Sequence, residues 1–518
     1  MSSSIQMLVA MSGYCAIVIA IGIFFAKKAN QSTENYFLGG RSLGPWVAAM
    51  SAEASDMSGW LLMGLPGVAY WCGLADAAWT AIGLAIGTYV NWLIVAKRLR
   101  KYSQIAGNSI TVPDFFSNRF KEKNKVIMFI ASSFILIFFS VYAASCFVTC
   151  GKLFSRLFNM PYIPMMLAGA IFVIVYTFLG GFLAESASDF MQAIVMICAL
   201  SVIVGIGTVA TGGPAQVIAN VQSFPGFLEF FSIASPTVQD GTQQIVNNLP
   251  VFGDKAAYPL LTIISTMSWG LGYFGMPQVL LRFMAIRKTK ELRESRRIAT
   301  TWCAISLTAA VLIGLIGRAL YPTALQTAGD SESIFIIMAT SLLHPVPAGI
   351  VMAGILAATI SSSDSYLLIA ASAFSKNIYQ GIIKKDADDK KVLMISRIAL
   401  LTVAFIGIII ALDDTSAIFT IVSFAWAGFG ATFGPLMLFS LFWKRINHKG
   451  AIAGMLAGGI MVFIWKLLLK PMGGVFGIYE LMPAFLTSCL FIVVVSLLTE
   501  EPPKEIQDEF ELAKTLEC

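Results

Sequence analysis

The sequence has few charged residues: Lys, Arg, Asp and Glu together fill 12% of its 518 positions. A soluble globular protein carries about twice that fraction. Hydrophobic residues, by contrast, account for 57% of the chain. This composition excludes an ordinary soluble domain. It predicts an all-α integral membrane protein, since a helix satisfies its own backbone hydrogen bonds in lipid, and it makes the lipid bilayer the first expected partner.

Histidine is scarce as well, and cysteine is never clustered. The two histidines are His344 and His448, and the eight cysteines form no CxxC pair. The usual zinc sites are therefore excluded, and we expect the cysteines to serve as small apolar side chains. No nucleophile–base pair is visible. The sequence predicts no enzymatic activity, no organic cofactor and no obligate protein partner.

Apolar runs of about 20 residues predict thirteen membrane spans. Numbered in chain order, they cover 5–26, 46–71, 74–96, 126–152, 162–180, 184–209, 257–284, 299–322, 346–378, 391–412, 415–443, 450–468 and 478–498.

Basic residues alternate between the connections of these spans. The connections after spans 1, 3, 7, 9 and 11 are rich in Lys and Arg, as in RKTKELRESRR at 287–297. Residues 210–256 contain only Lys255, and residues 323–345 contain neither Lys nor Arg. Because basic loops stay on the cytoplasmic side of a membrane, the N-terminus is expected outside and the C-terminus inside. The net charge of +6 thus needs no nucleic-acid partner.

Span 2 contains SAEASDMSGW at 51–60, which places Glu53 and Asp56 near the membrane centre. A charge there costs about 3 kcal/mol on insertion scales. Span 7 contains SWGLGYFGMP at 268–277. Irregular backbone within a membrane is tolerated where it lines a cavity or packs in protein. Broken helices that open two five-helix units, spans 2–6 and 7–11, indicate a transport site. Close helix packing through small residues is the alternative, above all for span 7.

An unwound helix exposes carbonyl oxygens, which suit a hard cation such as Na⁺. Span 9 carries further oxygens in ILAATISSSDSYLLIA at 355–370. Residues at three- and four-residue spacing share one face of this helix: Ala358, Ser361, Ser362 and Ser365. Serines also bond back to their own helix, but this does not account for Asp364 beside them. A third acid, Asp189, begins span 6 and is either functional or placed in the wet interface.

Seven stretches of the chain resemble the solute:sodium symporter family. They are YFLGGRSLGP (36–45), SAEASDMSGWLLMGLPG (51–67), TVPDFFSNRF (111–120), YTFLGGFLA (176–184), SWGLGYFGMPQ (268–278), ILAATISSSDS (355–365) and FAWAGFGATFGP (424–435). The resemblance covers about 35–498, without 210–256 and the tail. It implies a leucine-transporter-type core of two inverted five-helix repeats and sodium-driven import by alternating access, with motifs that agree best with proline-carrying members.

On this resemblance the chain divides into four parts. Residues 1–30 form an N-terminal extra transmembrane helix, 46–443 the inverted-repeat transport core, 450–498 two C-terminal helices, and 499–518 a cytoplasmic acidic tail. We expect the tail to be solvated. The expected location is the bacterial cytoplasmic membrane.

The resemblance also implies site residues. A sodium site between spans 2 and 9 would take carbonyls of Ala54, Met57 and Ala358 and hydroxyls of Ser361 and Ser362. Asp56 resembles the acid that couples sodium to substrate. The implied substrate residues are Ser58, Gly59, Tyr142, Trp269 and Tyr273. Their aromatic faces suit a pyrrolidine ring and its ammonium nitrogen.

Two residues depart from the family pattern: Glu53, where a small residue is expected, and Asp364, where proline-carrying members are uncharged. The resemblance to relatives such as sialic acid symporters implies a second sodium site near this part of span 9. Asp189, Asp364 and Ser365 are the candidates for one here.

Three other functions compete with that of a proline carrier. A symporter for another small zwitterionic or organic solute fits the same pattern. A transporter-like membrane sensor fits as well, although we expect no signalling domain in the short segment after the last span. A channel is disfavoured because the acids are too sparse and too offset to line a continuous polar path.

Overall fold

The computed structural model describes residues 3–29, 31–415 and 417–515, and these are mostly helical. Ten of the described helices are long and apolar enough to cross a membrane. They are Ser3–Phe24, Leu74–Ile105, Val126–Phe158, Phe182–Thr211, Thr289–Leu320, Pro345–Ile383, Asp389–Ile410, Ile418–Phe442, His448–Met472 and Leu481–Leu498. Three shorter apolar helices, Trp60–Cys72, Tyr162–Phe178 and Leu260–Phe274, fall in predicted spans 2, 5 and 7. Each predicted span therefore contains a helix.

Shorter helices connect the spans or complete them. They are Thr33–Leu38, Pro45–Asp56, Val112–Arg119, Pro214–Val221, Pro277–Ala285, Ala328–Ser331, Ile334–Leu342 and Lys504–Thr515. Tight single turns lie at Gly39–Arg41, Lys470–Met472 and Gly474–Gly477.

Span 2 is broken where the sequence predicted it. Its first segment, Pro45–Asp56, ends as the N–H of Met57 donates to the Glu53 carbonyl at 2.9 Å. Met57 leaves helical geometry (φ −89°, ψ 79°), and a widened turn restarts the helix at Trp60. The break exposes backbone groups that a continuous helix would have paired.

Span 7 is broken too, and its glycines also pack closely. The tight helix Ser268–Phe274 separates Leu260–Met267 from Pro277–Ala285, and Pro277 suits the first turn of the new helix because it needs no N–H partner there. A Cβ on Gly272 would lie 2.0 Å from the indole nitrogen of Trp426. Both interpretations of the span 7 glycines, a break and close packing, therefore apply.

Span 9 lies at the centre of the bundle. Its helix Pro345–Ser372 packs against spans 1, 2, 4, 6 and 10, and every residue from Val351 to Ser372 is buried. The polar face of this helix can therefore meet only protein, including the break of span 2 and the side chains of Arg282 and Glu185.

Residues 210–257 are more ordered than their Gly- and Pro-rich sequence indicates. They contain three antiparallel strand pairs: Ser232–Ile233 with Ala256–Ala257, Val238–Gln239 with Thr242–Gln243, and Ile245–Val246 with Leu249–Pro250. The segment packs over the ends of spans 2, 3 and 8. The N–H of Leu74 donates to Phe227 O at 2.8 Å, and Arg318 donates to the Gln243 side chain at 2.9 Å.

The tail forms the helix Lys504–Thr515, and the expectation that it is solvated is wrong for one stripe of it. Ile506, Phe510 and Ala513 are buried. The Phe510 ring lies 6.4 Å from that of Tyr102. The tail is thus docked on the bundle, and Glu505 and Glu509 pair with Lys121 there. The last cysteine, Cys518, lies outside the described residues.

Several arginines of the basic connections are buried. Arg41 donates to Met284 O at 2.7 Å, Arg100 to Ile286 O at 2.6 Å, and Arg119 to Ser440 O at 3.1 Å. These side chains bind the free carbonyls at helix ends, so they contribute to packing as well as to the charge pattern.

Candidate functional site

The hydroxyl groups of span 9 reach the break of span 2. Ser361 Oγ donates to the Ala54 carbonyl at 2.8 Å, and Ser362 Oγ lies 3.3 Å from the same oxygen. Ser361 Oγ also lies 3.2 Å from the Ala358 carbonyl. Four of the five predicted sodium residues therefore converge at one point. Carbonyl and hydroxyl oxygens are the neutral ligands that a hard cation accepts.

Helix geometry decides which serines take part. Ser363 is as buried as Ser361 and Ser362, yet its hydroxyl donates to Thr359 O of its own helix at 2.6 Å. One residue is about 100° of helix rotation, so Ser363 faces away from the break. The fifth predicted residue, Met57, lies in the break itself, and its sulfur accepts from Ser306 Oγ at 3.7 Å.

Asp56 connects three spans at this point. Its side chain accepts a hydrogen bond from Gln278 Nε2 in span 7 at 3.3 Å. Its carbonyl lies 3.2 Å from Trp60 Nε1 and 3.4 Å from the Tyr142 hydroxyl of span 4. The predicted coupling acid therefore adjoins both the oxygen cluster and an aromatic residue of the predicted substrate pocket.

The predicted aromatic residues gather near the break. The Tyr142 ring stacks on that of Tyr366 at 4.2 Å. The ring centres of Trp269 and Trp426 are 5.9 Å apart, and the Tyr273 ring meets the Trp426 indole edge-on with 5.0 Å between ring centres. All of these residues are 3% exposed or less. They form an apolar, aromatic wall within the bundle.

Three aromatic members of this wall were not predicted. Trp60 directly follows the break, and its ring lies 6.4 Å from that of Trp269. Tyr366 stands one helical turn after Ser362, and Trp426 lies within FAWAGFG. A helical projection of the recognised stretches would have identified Tyr366, because residues four apart share a face.

Ser58 and Gly59 lie in the break between the two segments of span 2. The N–H of Ser58 donates to the Asp56 carbonyl at 3.1 Å. A Cβ on Gly59 would stand 2.2 Å from Thr149 Oγ1 of span 4. Gly59 is thus required for the close approach of span 4, and a contact of either residue with substrate stays a prediction.

Arg282 contacts two of the three residues predicted for a second sodium site, Asp189 and Ser365. Its guanidinium forms an ion pair with Glu185 and lies 3.1 Å from Asp189 Oδ2 and 3.0 Å from Ser365 Oγ. Its Nε donates to Ser51 Oγ of span 2 at 3.0 Å. The arginine therefore ties together spans 2, 6, 7 and 9. Asp189 is fully buried in this network, not in a wet interface.

Asp364 lies beside this network, and only one of its two carboxylate oxygens accepts a hydrogen bond from the described residues. Its Oδ1 accepts from the N–H of Ser365 at 2.7 Å, while its buried Oδ2 has no hydrogen-bond partner among the described residues. Arg282 and Glu185 were missed. Arg282 interrupts the apolar run QVLLRFMA, and an ionisable residue within a membrane is a functional candidate by default.

Glu53 contacts the indole of Trp92 and not a basic side chain. Trp92 Nε1 lies 3.4 Å from its Oε1, and the residue is 2% exposed. Its second oxygen has no hydrogen-bond partner among the described residues.

Comparison with known proteins identifies the family of this chain. A family model described as the sodium:solute symporter family matches residues 36–458. The chain belongs to the sodium:solute symporter family. A protein of Staphylococcus aureus (strain USA300 / TCH1516) named sodium/proline symporter is 40% identical over 495 residues, which cover 94% of this chain and 92% of that protein. The same name and identity apply to a relative from strain JH9.

Solved structures agree on the fold. A Na⁺-coupled sialic acid symporter, in a substrate-bound outward-open state, superposes with a TM-score of 0.76 at 17% identity, over 96% of this chain and 99% of that one. A nucleobase-cation-symport-1 family transporter in a closed conformation, with bromovinylhydantoin bound, gives 0.52 at 13% identity, over 93% and 100%. The leucine-transporter-type fold is confirmed.

The candidate site is buried in this structure. Each predicted site residue other than Gly59 is 3% exposed or less, and Gly59 is buried. Because the family and the named relatives are transporters, the chain is a multi-pass, sodium-coupled transporter and not an enzyme.

Proposed function

We propose that this symporter imports L-proline together with Na⁺ across the bacterial cytoplasmic membrane. The observation that carries the proposal is the contact of Ser361 and Ser362 with the Ala54 carbonyl, 2.8 and 3.3 Å long, beside Asp56 and an aromatic wall. The 40% identity to proteins named sodium/proline symporter supports the choice of solute.

In the proposed cycle, Na⁺ ties span 2 to span 9. The ion takes the carbonyls of Ala54, Met57 and Ala358 and the hydroxyls of Ser361 and Ser362 as ligands. A bound ion fixes the end of the helix that carries Asp56, and Asp56 in turn positions the solute. Alternating access follows when the two spans separate on one side and the ligand set is lost.

The aromatic residues suit proline in particular. Tyr142, Trp269 and Tyr273 offer flat faces to a pyrrolidine ring, and a secondary ammonium group is attracted to such faces within about 6 Å. Ser58 and Gly59, at the break, would meet the carboxylate. Another small zwitterion with an apolar ring remains the second candidate because it would use the same wall.

We propose one sodium ion per proline, because Arg282 already supplies a cation to Asp189 and Ser365. Two ions are the competing stoichiometry, because Arg282 pairs with Glu185 and Asp189 while the buried Asp364 has no ion pair with it. Asp364 Oδ2 would then be the ligand of the second ion. Charge moved per labelled proline decides the matter, since a ratio of one excludes the second ion and a ratio of two excludes our stoichiometry.

One sodium ion supplies enough energy for this task. A unit charge gains about 2.3 kcal/mol per 100 mV, and a tenfold gradient adds about 1.4 kcal/mol. At roughly 150 mV the total is about 5 kcal/mol, which corresponds to more than three decades of accumulation.

The proposed sidedness places the N-terminus outside and the C-terminal tail inside. The proposed organisation keeps residues 1–30 as an extra helix, 46–443 as the inverted-repeat core, 450–498 as two further helices and 499–518 as the tail. Accessibility of single cysteines, introduced at Ser3 and at Lys504, to an impermeant reagent would test the orientation.

Labelled proline uptake into proteoliposomes, with and without an inward Na⁺ gradient, tests the function. We expect uptake above equilibrium only with the gradient, and competition by proline before other amino acids. Accumulation of a different zwitterion, with no inhibition by proline, would replace the substrate. Binding without flux would favour a transporter-like sensor.

A further inference from the structure

A basic cleft lies at the end of the bundle that carries the Lys- and Arg-rich connections. Its volume is about 420 Å³, and it lies between the end of span 3, the start of span 8 and the tail helix Lys504–Thr515. Every ionisable side chain among its lining residues is basic. They are Lys97, Lys101, Lys290, Arg293, Arg296 and Lys514.

Lys101 distinguishes this cleft from an ordinary basic surface. The residue is 6% exposed, and lysine is almost never buried unless it is paired. Lys101 lines the cleft, and no Asp or Glu is among the lining residues that could pair with it there. Lys152, whose side chain is 10% exposed, shows the usual solution by pairing with Glu332 at 2.7 Å. Lys101 therefore adds a positive charge to a cleft whose lining contains no acid.

The cleft opens toward the lipid-facing surface. Leu93 on its rim is 45% exposed, and the neighbouring Tyr89 is 43% exposed. The Arg296 guanidinium lies 5.4 Å from the centre of the Tyr89 ring. Tyrosine is enriched where membranes meet water, and basic pockets between helices at that level receive lipid head groups.

We propose that this cleft binds a phosphate-bearing anion, and that its source is the head group of an anionic membrane lipid. Lys101 supplies a point charge in the cleft, and Arg293 and Arg296 can each present two parallel N–H donors to phosphate oxygens. The acyl chains would leave past Leu93. This site is separate from the proposed transport site and does not depend on which solute is carried.

Occupancy of the cleft is linked to the tail. Lys514 reaches the cleft from the tail helix, which is held to the bundle by buried Phe510 against Tyr102. A ligand that binds Lys514 only in the docked position must stabilise docking, and docking must strengthen binding by the same factor. Anionic lipid is therefore expected to slow hydrogen exchange in 504–515.

Lipid binding to the purified full chain tests the proposal. Nanodiscs of phosphatidylcholine with increasing phosphatidylglycerol would be compared for wild type and for the exposed-residue variant Lys97→Gln/Arg293→Gln. Each basic residue near an anionic surface contributes about a fivefold effect, so the pair should weaken phosphatidylglycerol binding about 30-fold. Lys384→Gln/Lys385→Gln, which removes two exposed cations outside the cleft, is the matched control and should bind as wild type does.

A second variant and a second probe complete the test. Lys101→Met keeps the length of the side chain and should abolish the lipid-dependent protection of the tail. Pyrophosphate in solution separates the two sources of phosphate. Cleft-dependent binding of pyrophosphate without lipid binding would overturn the lipid source. Equal lipid binding by the cleft variant and the control would overturn the site.

Discussion

Removing a span 9 hydroxyl should weaken sodium binding only if that hydroxyl reaches the break of span 2. Ser361 Oγ lies 2.8 Å from the Ala54 carbonyl and Ser362 Oγ lies 3.3 Å from it. Replacement of either serine by alanine deletes one neutral ligand and leaves a buried carbonyl less satisfied, at about 1–3 kcal/mol. The apparent sodium constant of proline uptake should therefore rise about 5- to 150-fold.

Ser363→Ala is the matched control. The three serines are consecutive and fully buried, but Ser363 bonds only to its own helix, at 2.6 Å to Thr359 O and 3.3 Å to Ile360 O. Its loss leaves the break of span 2 untouched, so the sodium constant should change less than twofold, roughly the spread of neutral substitutions.

The assay is proline uptake into proteoliposomes at fixed membrane potential while external Na⁺ is varied. Equilibrium binding of labelled proline at saturating Na⁺ separates ion binding from solute contact, because a serine that binds only the ion leaves that affinity nearly unchanged. A shift for Ser363→Ala as large as that for Ser361→Ala would refute the assignment. So would an unchanged sodium constant in both Ser361→Ala and Ser362→Ala.

Substitutions at four further positions test neighbouring parts of the arrangement. Asp56→Asn should abolish most sodium-driven uptake while insertion, judged by membrane yield, stays normal; unaltered sodium dependence would remove Asp56 from the coupling role. Arg282→Gln should lower the unfolding free energy by about 3–5 kcal/mol, since it leaves buried carboxylates without their cation. Arg282→Lys keeps the charge, so its melting temperature should fall less than that of Arg282→Gln. Equal melting temperatures of the two variants would contradict this. Tyr142→Phe keeps ring stacking but loses the hydroxyl near Asp56, so the apparent proline affinity should fall about 2- to 12-fold. Phe510→Ala should release the tail, seen as faster hydrogen exchange at 504–515; unchanged exchange would show that its charged residues alone hold it.

The spans and the sodium candidates could be predicted because their signals are local. A run of about 20 apolar residues is visible in any window of that length, and the break of span 2 follows from polar residues that no continuous span would carry. The serine face of span 9 follows from helical spacing alone. In each case the relevant residues lie within a single span.

The contacts of Arg282 could not be predicted in the same way. Glu185 lies 97 positions before it in the chain and Ser365 lies 83 after it. Which acids meet depends on how four helices are rotated, and rotation is decided by packing over the whole bundle. The docking of the tail is similar: its apolar stripe is short, and charge dominates its composition. The sequence therefore identifies candidate acids more readily than it assigns their partners.

The Arg282 network bears directly on how the ion would be released. Separating span 7 from spans 6 and 9 at the level of Arg282 breaks its ion pairs with Glu185 and Asp189 and its hydrogen bond to Ser365. Such a separation costs several kcal/mol unless water replaces the lost partners, a cost comparable to the roughly 5 kcal/mol carried by one sodium ion. Opening at this end therefore requires water to enter.

Water that reaches Arg282 also reaches the proposed sodium ligands. Ser365 Oγ lies 3.1 Å from the carbonyl of Ser361, one helical turn away. Hydration of the network thus brings competing oxygens to the ion at the moment when span 2 and span 9 begin to part. We infer that opening of this end and loss of sodium are one event, so Arg282→Lys, with its weaker fork of donors, should raise sodium leak in the absence of proline. Measurement of ²²Na⁺ efflux from proteoliposomes would show this, and a leak no greater than in wild type would separate the gate from the ion site.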